Sequence, residues 1–182
     1  MLTITYFVHG TTTDNEQNLA SGWLPGELSA LGIGQSKELG KLAAYKYFDA
    51  VFCSDLKRAT DSARLAFGDR YEIIQDKRLR EADYGDFTGK SDDFKRDLSQ
   101  YINTPFPHGE SYKEVEKRLT DFLQDATEKY NGKHIAIVAH QAPQLALKAA
   151  TKDKLDRFYR PQRRLRPPLL CPLPPLCPAP RP

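Results

Sequence analysis

The sequence predicts an α/β fold, a three-layer sandwich with a mostly parallel central sheet flanked by helices. Three observations carry this. Short β-branched and apolar runs alternate with amphipathic helical stretches through most of the chain, the pattern of repeated strand–helix units. The two best strand candidates, residues 3–8 and 134–139, each stop at a histidine. The chain has 182 residues, 40% hydrophobic and 28% charged, enough for one domain with a real core.

The first strand is TITYFV, with Ile4, Tyr6 and Val8 alternating with Thr5 and Phe7. It ends at His9-Gly10 and enters three threonines, Asp14 and Asn15. In open α/β sheets ligands bind at the carboxyl edge of the strands, so His9 is placed where a ligand would be met, with hydroxyls and amides beside it. Pro25-Gly26 marks a turn and Ser29 starts a helix over 30–47, with Leu31, Ile33, Leu39, Leu42, Ala43 and Tyr47 as its apolar stripe and Gly32, Gly34 and Gly40 weakening it. Residues 49–53, DAVFC, read as a buried strand. Ser54-Asp55 is then an N-cap, which puts Arg58 in a first helical turn near the edge that holds His9.

Tyr71–Ile74 reads as a third strand, followed by the acid-rich loop LREADYGDFTGK with Glu81, Asp83 and Asp86. Residues 91–102 suggest a helix with Phe94, Leu98 and Ile102 on one face. A rigid TPFPHGES loop leads into a long helix striped by Val115, Leu119, Phe122, Leu123 and Ala126, with Glu110 complementing its dipole. The strand HIAIVA, residues 134–139, ends at His140-Gln141, and Ala142–Tyr159 suggests a last helix. His134, at the start of its strand, reads as structural.

The domain is predicted to span residues 1–160. Residues 161–182 hold nine prolines and four arginines without one acid, which excludes helix or sheet and predicts a disordered or polyproline-like tail. Without that tail's +4, the chain's +3 becomes about −1, so the domain has no electrostatic footprint for nucleic acid. Cys53, Cys171 and Cys177 have no metal-ligand spacing and suggest a reducing compartment without disulfides. No apolar run is long enough to span a membrane and no leader precedes the first strand, so a cytoplasmic location is expected.

Two strand-terminal imidazoles, an early helix arginine and an acidic loop together suit phosphoryl chemistry. A neutral imidazole can attack phosphorus, a second imidazole and a guanidinium can neutralise the phosphoryl oxygens, and a carboxylic acid can protonate the leaving oxygen.

Five segments carry a family resemblance, in order from about residue 3 to residue 150: VHGTTTDN, LSALGIGQSKELG, CSDLKRATDSA, LREADYGDFTG, and the pair PHGES and IVAHQ. The chain resembles the histidine phosphatase superfamily, also called phosphoglycerate mutase-like. The resemblance implies that His9 is the phosphorylated nucleophile and Glu81 the proton donor. It implies that Arg58 and His140 bind the phosphoryl group with Asn15 in support. Glu110 is a weaker candidate for the acid or for substrate contact, and Gly10 is required because a side chain would crowd the phosphate. No metal or organic cofactor is implied. The expected partner is a small phosphorylated substrate, with neither nucleic acid nor membrane; a dimer is allowed but not required.

Two positions depart from the family pattern. Val8 stands where the family has an arginine, or one residue has been lost there; that arginine is a phosphate ligand, and its loss removes strong charge-assisted bonds. Arg80 or Lys57 would be substitutes. Gln141 stands in place of a glycine and is assigned to the phosphate or the substrate pocket. The segments from Arg58 to Glu81 and on to Glu110 are shorter than in the family's mutases, which favours hydrolysis of a small phosphate ester such as a sugar, nucleotide or cobalamin-precursor phosphate. Two competing readings are a module that binds phosphorylated ligands without turnover, and a metal-dependent hydrolase using His9, His140 and a carboxylate.

Overall fold

A computed structural model of the chain describes residues 1–150. The expected tail at 161–182, and the part of the expected last helix beyond residue 150, lie outside the described residues. Four strands form one parallel sheet: β1 (Thr3–Val8), β2 (Ala50–Cys53), β3 (Ile73–Gln75) and β4 (His134–Ala139), in the order β1-β4-β2-β3. A short α1 (Thr13–Glu16) follows β1, then come α2 (Ala30–Leu42), α3 (Lys57–Phe67), α4 (Tyr112–Lys129) and α5 (Gln141–Ala150).

Alternation along each strand divides the core in two. Tyr6, Phe52, Ile135 and Ile137 face one side with Val115, Leu119 and Phe122 of α4 and Leu147 of α5. Phe7, Val51, Cys53, Ala136 and Val138 face the other, with Leu39 of α2 and Ala63, Ala66 and Phe67 of α3. The predicted three layers follow. Their arrangement is the one right-handed crossovers demand: the chain steps from β1 through β2 to β3 with its helices on one face, then returns to β4 with α4 on the other. β4 lies between β1 and β2 and is buried from Ile135 to Ala139, hence its uninterrupted apolar sequence.

Ser29 caps α2 as expected, its Oγ accepting the Gly32 N–H. The stripe assigned to α2 holds only at Leu39 and Ala43, which are buried in the core; Leu31, Ile33, Leu42 and Tyr47 are exposed and the helix ends at Leu42. It docks also through Gly32, Ser36 and Gly40, spaced four residues apart. A Cβ at Gly32 would collide with the Thr11 carbonyl, and one at Gly40 with the Ala66 carbonyl of α3. These glycines permit close approach; they do not merely weaken the helix. Residues 91–102 form two 3-10 turns, Asp92–Arg96 and Ser99–Tyr101, in place of the expected helix. Asp97 between them is extended and its carboxylate accepts the Ser99 N–H, a local bond that competes with helical ones. Phe94 and Leu98 still pack on the core.

Candidate functional site

His9 is held at the sheet edge by β4, since its backbone N–H donates to the Ala139 carbonyl at 3.0 Å. Its ring Nδ1 is 2.6 Å from the Gly10 carbonyl oxygen. A carbonyl only accepts, so Nδ1 carries the proton and Nε2 the lone pair. Nε2 faces the Nε–H of Arg58 at 3.3 Å. The alignment of β1 with β4 brings His140 beside His9, with ring centroids 5.0 Å apart and planes at 60°. The Tyr6 hydroxyl fixes the His140 backbone, donating to its carbonyl at 2.9 Å and accepting its N–H at 3.2 Å. His140 is wholly buried, and among the described residues neither ring nitrogen has a hydrogen-bond partner. Burial first, then the charges of Arg58, His9 and Arg118, push its pKa well below the usual imidazole range. It is a neutral ring with its polar atoms uncommitted.

Arg58 is in the first turn of α3 as predicted, but the cap differs. Leu56 is the N-cap residue, and Ser54 accepts the Leu56 N–H from a turn before the helix. The Arg58 guanidinium is buried and grips the loop after α1, donating to the carbonyls of Gly22 at 2.8 Å and Leu24 at 2.6 Å. Burial lowers its pKa and the Glu81 carboxylate opposes that shift. Glu81 itself sits at the start of α5. Its Oε1 accepts the N–H of Ala142 at 2.9 Å and of Ala82 at 3.0 Å, and its Oε2 that of Gln141 at 3.3 Å. The dipole and open N–H groups of that helix end suit a carboxyl group.

His9 and Glu81 line a cavity of about 370 Å³ together with Val8, Asn15, Gln35 and Gln141 among others, while Arg58 and His140 lie behind His9 and are not part of its lining. Asn15 closes a capping box on α1, its Oδ1 accepting the Thr12 N–H at 3.2 Å, which leaves the amide nitrogen as the end for a ligand. Gln35 is arranged alike, its Oε1 accepting from Thr11 N–H and Oγ–H. Among the described residues that line the cavity, Lys95 is the one Lys or Arg.

Gly10, which lines the cavity, is also required for packing, because a Cβ there would strike the Gly32 carbonyl of α2. Two assignments change. Glu110 does not line the cavity but pairs with Arg118 at 2.9 Å. Arg80 and Lys57 do not replace the family arginine. Arg80 is bidentate to Asp55 and lies over Trp23, and Lys57 is held by Glu27 and Asp61. The metal-dependent reading has no ligand set, since the described residues contain no group of three His, Cys, Asp or Glu that could hold a metal ion. No helix of the described residues is long and apolar enough to cross a membrane.

The sequence reading missed Ser62, Lys95 and Arg118. Ser62 Oγ accepts the Gly10 N–H at 2.9 Å and donates to the Arg58 carbonyl at 2.7 Å, tying the loop that begins at His9 to α3. Its place four residues after Arg58, one helical turn, is the only local signal it offers.

Comparison with known proteins agrees with this geometry. Residues 6–164 match the model of the histidine phosphatase superfamily, branch 1. The adenosylcobalamin/alpha-ribazole phosphatase of Escherichia coli K12 is 32% identical over 143 residues, covering 73% of this chain and 70% of that protein. A 2,3-bisphosphoglycerate-dependent phosphoglycerate mutase of Rhizobium meliloti is 33% identical over 152 residues, covering 72% and 71%. The solved structure of Bacillus stearothermophilus YhfR superposes with a TM-score of 0.76 at 28% identity, over 88% of this chain and 85% of that one. With a phosphoglycerate mutase-like sandwich and the family's motifs gathered at one sheet edge, the chain belongs to the histidine phosphatase superfamily.

Proposed function

We propose that the protein is a phosphomonoesterase that works through a phosphohistidine on His9. The observation that carries this is the tautomer: the Gly10 carbonyl accepts the Nδ1–H and so keeps the lone pair on Nε2, which faces Arg58 in a ring that lines the cavity. In the first step Nε2 attacks phosphorus, a P–N bond forms, the ester P–O bond breaks, and Glu81 gives its proton to the departing oxygen. In the second, water attacks phosphorus, the Glu81 carboxylate takes its proton, and inorganic phosphate leaves His9. Arg58 and the neutral His140 ring stabilise the charge on the phosphoryl oxygens, with Asn15 and Gln141 as further donors.

Hydrolysis is favoured over phosphoryl shuttling because the segment between Glu81 and Glu110 is short and adds one residue to the cavity lining, Lys95 of the 3-10 turn Asp92–Arg96. The phosphatase relatives support hydrolysis, and the mutase relatives share the phosphoryl chemistry. The cavity is lined by carboxamides and no aromatic ring except imidazole, which fits a small, polar phosphate ester. The second reading, a non-catalytic binder of phosphate ligands, is favoured by Val8 beside His9 where the family has arginine.

Phosphate release from an aryl phosphate at pH 5–8, with chelator present, separates them. Activity that survives chelator and vanishes in His9→Ala supports the phosphohistidine route. Ligand binding without release in the native chain supports the binder. Equal release by both proteins overturns His9 as nucleophile.

A further inference from the structure

Glu81 is held from both flanks by two residues that do not line the cavity. Arg118, on α4, donates from Nη1 to the carbonyls of Arg78 at 2.7 Å and Arg80 at 2.8 Å, and from Nη2 to that of Glu81 at 2.9 Å. The same guanidinium is bidentate to Glu110, with Nε to Oε1 at 2.9 Å and Nη2 to Oε2 at 3.0 Å. Glu110 reaches past Glu81 in turn. Its Oε2 accepts the Asp83 N–H at 3.1 Å, and its own N–H donates to the Asp83 carbonyl at 2.9 Å. The Glu81 carbonyl also accepts the Trp23 indole N–H at 2.8 Å. Both partners of the pair are largely sheltered, with side chains 16% and 18% exposed.

Residues 76–84 are loop and a single 3-10 turn, Lys77–Leu79, and no strand or α-helix fixes the Glu81 backbone. Its position depends on side chains that satisfy its carbonyls. A planar five-donor fork suits this, because it can bind several carbonyls and a carboxylate at once.

We propose that Arg118 and Glu110 act as a positioning pair for the proton donor, setting the Glu81 carboxyl against the leaving oxygen without touching substrate. The inference rests on the role of Glu81 given above. A displaced Glu81 slows phosphohistidine formation only where the leaving group needs a proton, whereas the water step it also serves is common to all esters and does not enter kcat/KM. An alkoxide needs that proton; a nitrophenolate does not.

The experiment measures kcat and KM for glycerol 2-phosphate and p-nitrophenyl phosphate in the native chain, Glu81→Gln, Glu110→Gln, Arg118→Met and Arg118→Lys. Glu81→Gln is expected to lose roughly 100-fold or more in kcat/KM on the alkyl ester and far less on the aryl ester. Glu110→Gln and Arg118→Met are expected to follow the same pattern, losing about 10-fold and about 100-fold in kcat/KM on the alkyl ester and far less on the aryl ester, and Arg118→Lys to restore only part. Equal losses in kcat/KM on both esters overturn the positioning role. If Glu81→Gln spares the alkyl ester, the proton-donor assignment fails first and takes this inference with it. Should Arg118→Met fail to fold, Glu110→Gln decides, alone and combined with Glu81→Gln. No further loss on the alkyl ester in the double variant supports the pair acting through Glu81, and an additive loss overturns it.

Discussion

His140 presents its ring to His9 at 5.0 Å between centroids while buried from solvent on every side. Burial and the neighbouring cations keep it neutral in the folded protein. In the unfolded chain it takes a proton near pH 6.5. Its contribution to stability is therefore complete above about pH 6.5 and is lost as pH falls, at up to about 1.4 kcal/mol per pH unit. His134, whose pKa is also lowered, adds a smaller effect of the same sign. Denaturant midpoints measured from pH 7.5 to pH 5 are expected to fall in the native chain and to fall less steeply in His140→Asn. Parallel slopes for the two proteins would mean that His140 is charged when folded.

Ser62→Ala removes the acceptor of the Gly10 N–H, which is otherwise buried. An orphaned buried amide costs about 1–3 kcal/mol. A loss of that size in urea unfolding is expected, with a lower kcat because the His9–Gly10 peptide is no longer tied to α3. An unchanged midpoint would show that another acceptor takes over.

Two glycines of one helix are predicted to respond oppositely to alanine. Gly34 has open space where a Cβ would go, so Gly34→Ala gains helix propensity, about 0.5–1 kcal/mol of stability. At Gly40 the Cβ would lie 2.7 Å from the Ala66 carbonyl oxygen, and the backbone of α3 must yield. Gly40→Ala is expected to lower the thermal midpoint and Gly34→Ala to raise it. Equal signs would contradict the close α2–α3 contact.

Val8 and Lys95 line the same cavity. A guanidinium at position 8 would restore a phosphate ligand next to His9, and Val8→Arg is expected to raise kcat/KM about 10-fold or more. Lys95→Met, removing the cation from the cavity lining, is expected to lower affinity for inorganic phosphate about 10-fold, as read by competitive inhibition. No gain in the first variant, with no loss in the second, would mean that Arg58 alone carries phosphate binding.

Local patterns predicted the parts of this structure that local patterns control. Strand alternation located β1 and β4, and the histidines ending them proved adjacent because those strands pair, Val8 opposite Ala139. The Ser29 cap and the α4 stripe were equally readable. What escaped depends on contacts between distant segments. The exposed leucines of α2 misled because that helix docks through Gly32, Ser36 and Gly40, whose role is visible only once Thr11 and Ala66 lie against it. Glu110 looked like a helix-start acid, and its real partner is a helix residue two turns further on, itself engaged with the loop at 78–81. Lys95 lay in a predicted helix that Asp97 interrupts.

The central place of β4 bears on the order in which the protein is made. Among the described strands β1 pairs only with β4, Thr3 opposite His134. During synthesis, β1 therefore has unpaired edges until nearly the whole domain has left the ribosome, a costly loop closure and a period of exposure to aggregation. We predict that chains arrested before residue 134 stay sensitive to protease throughout β1 and that chains arrested after α5 do not; early protection of β1 would refute this. The strand that completes the sheet also delivers His140, so the pairing of the two strand-terminal histidines and the folded domain come into being in the same event.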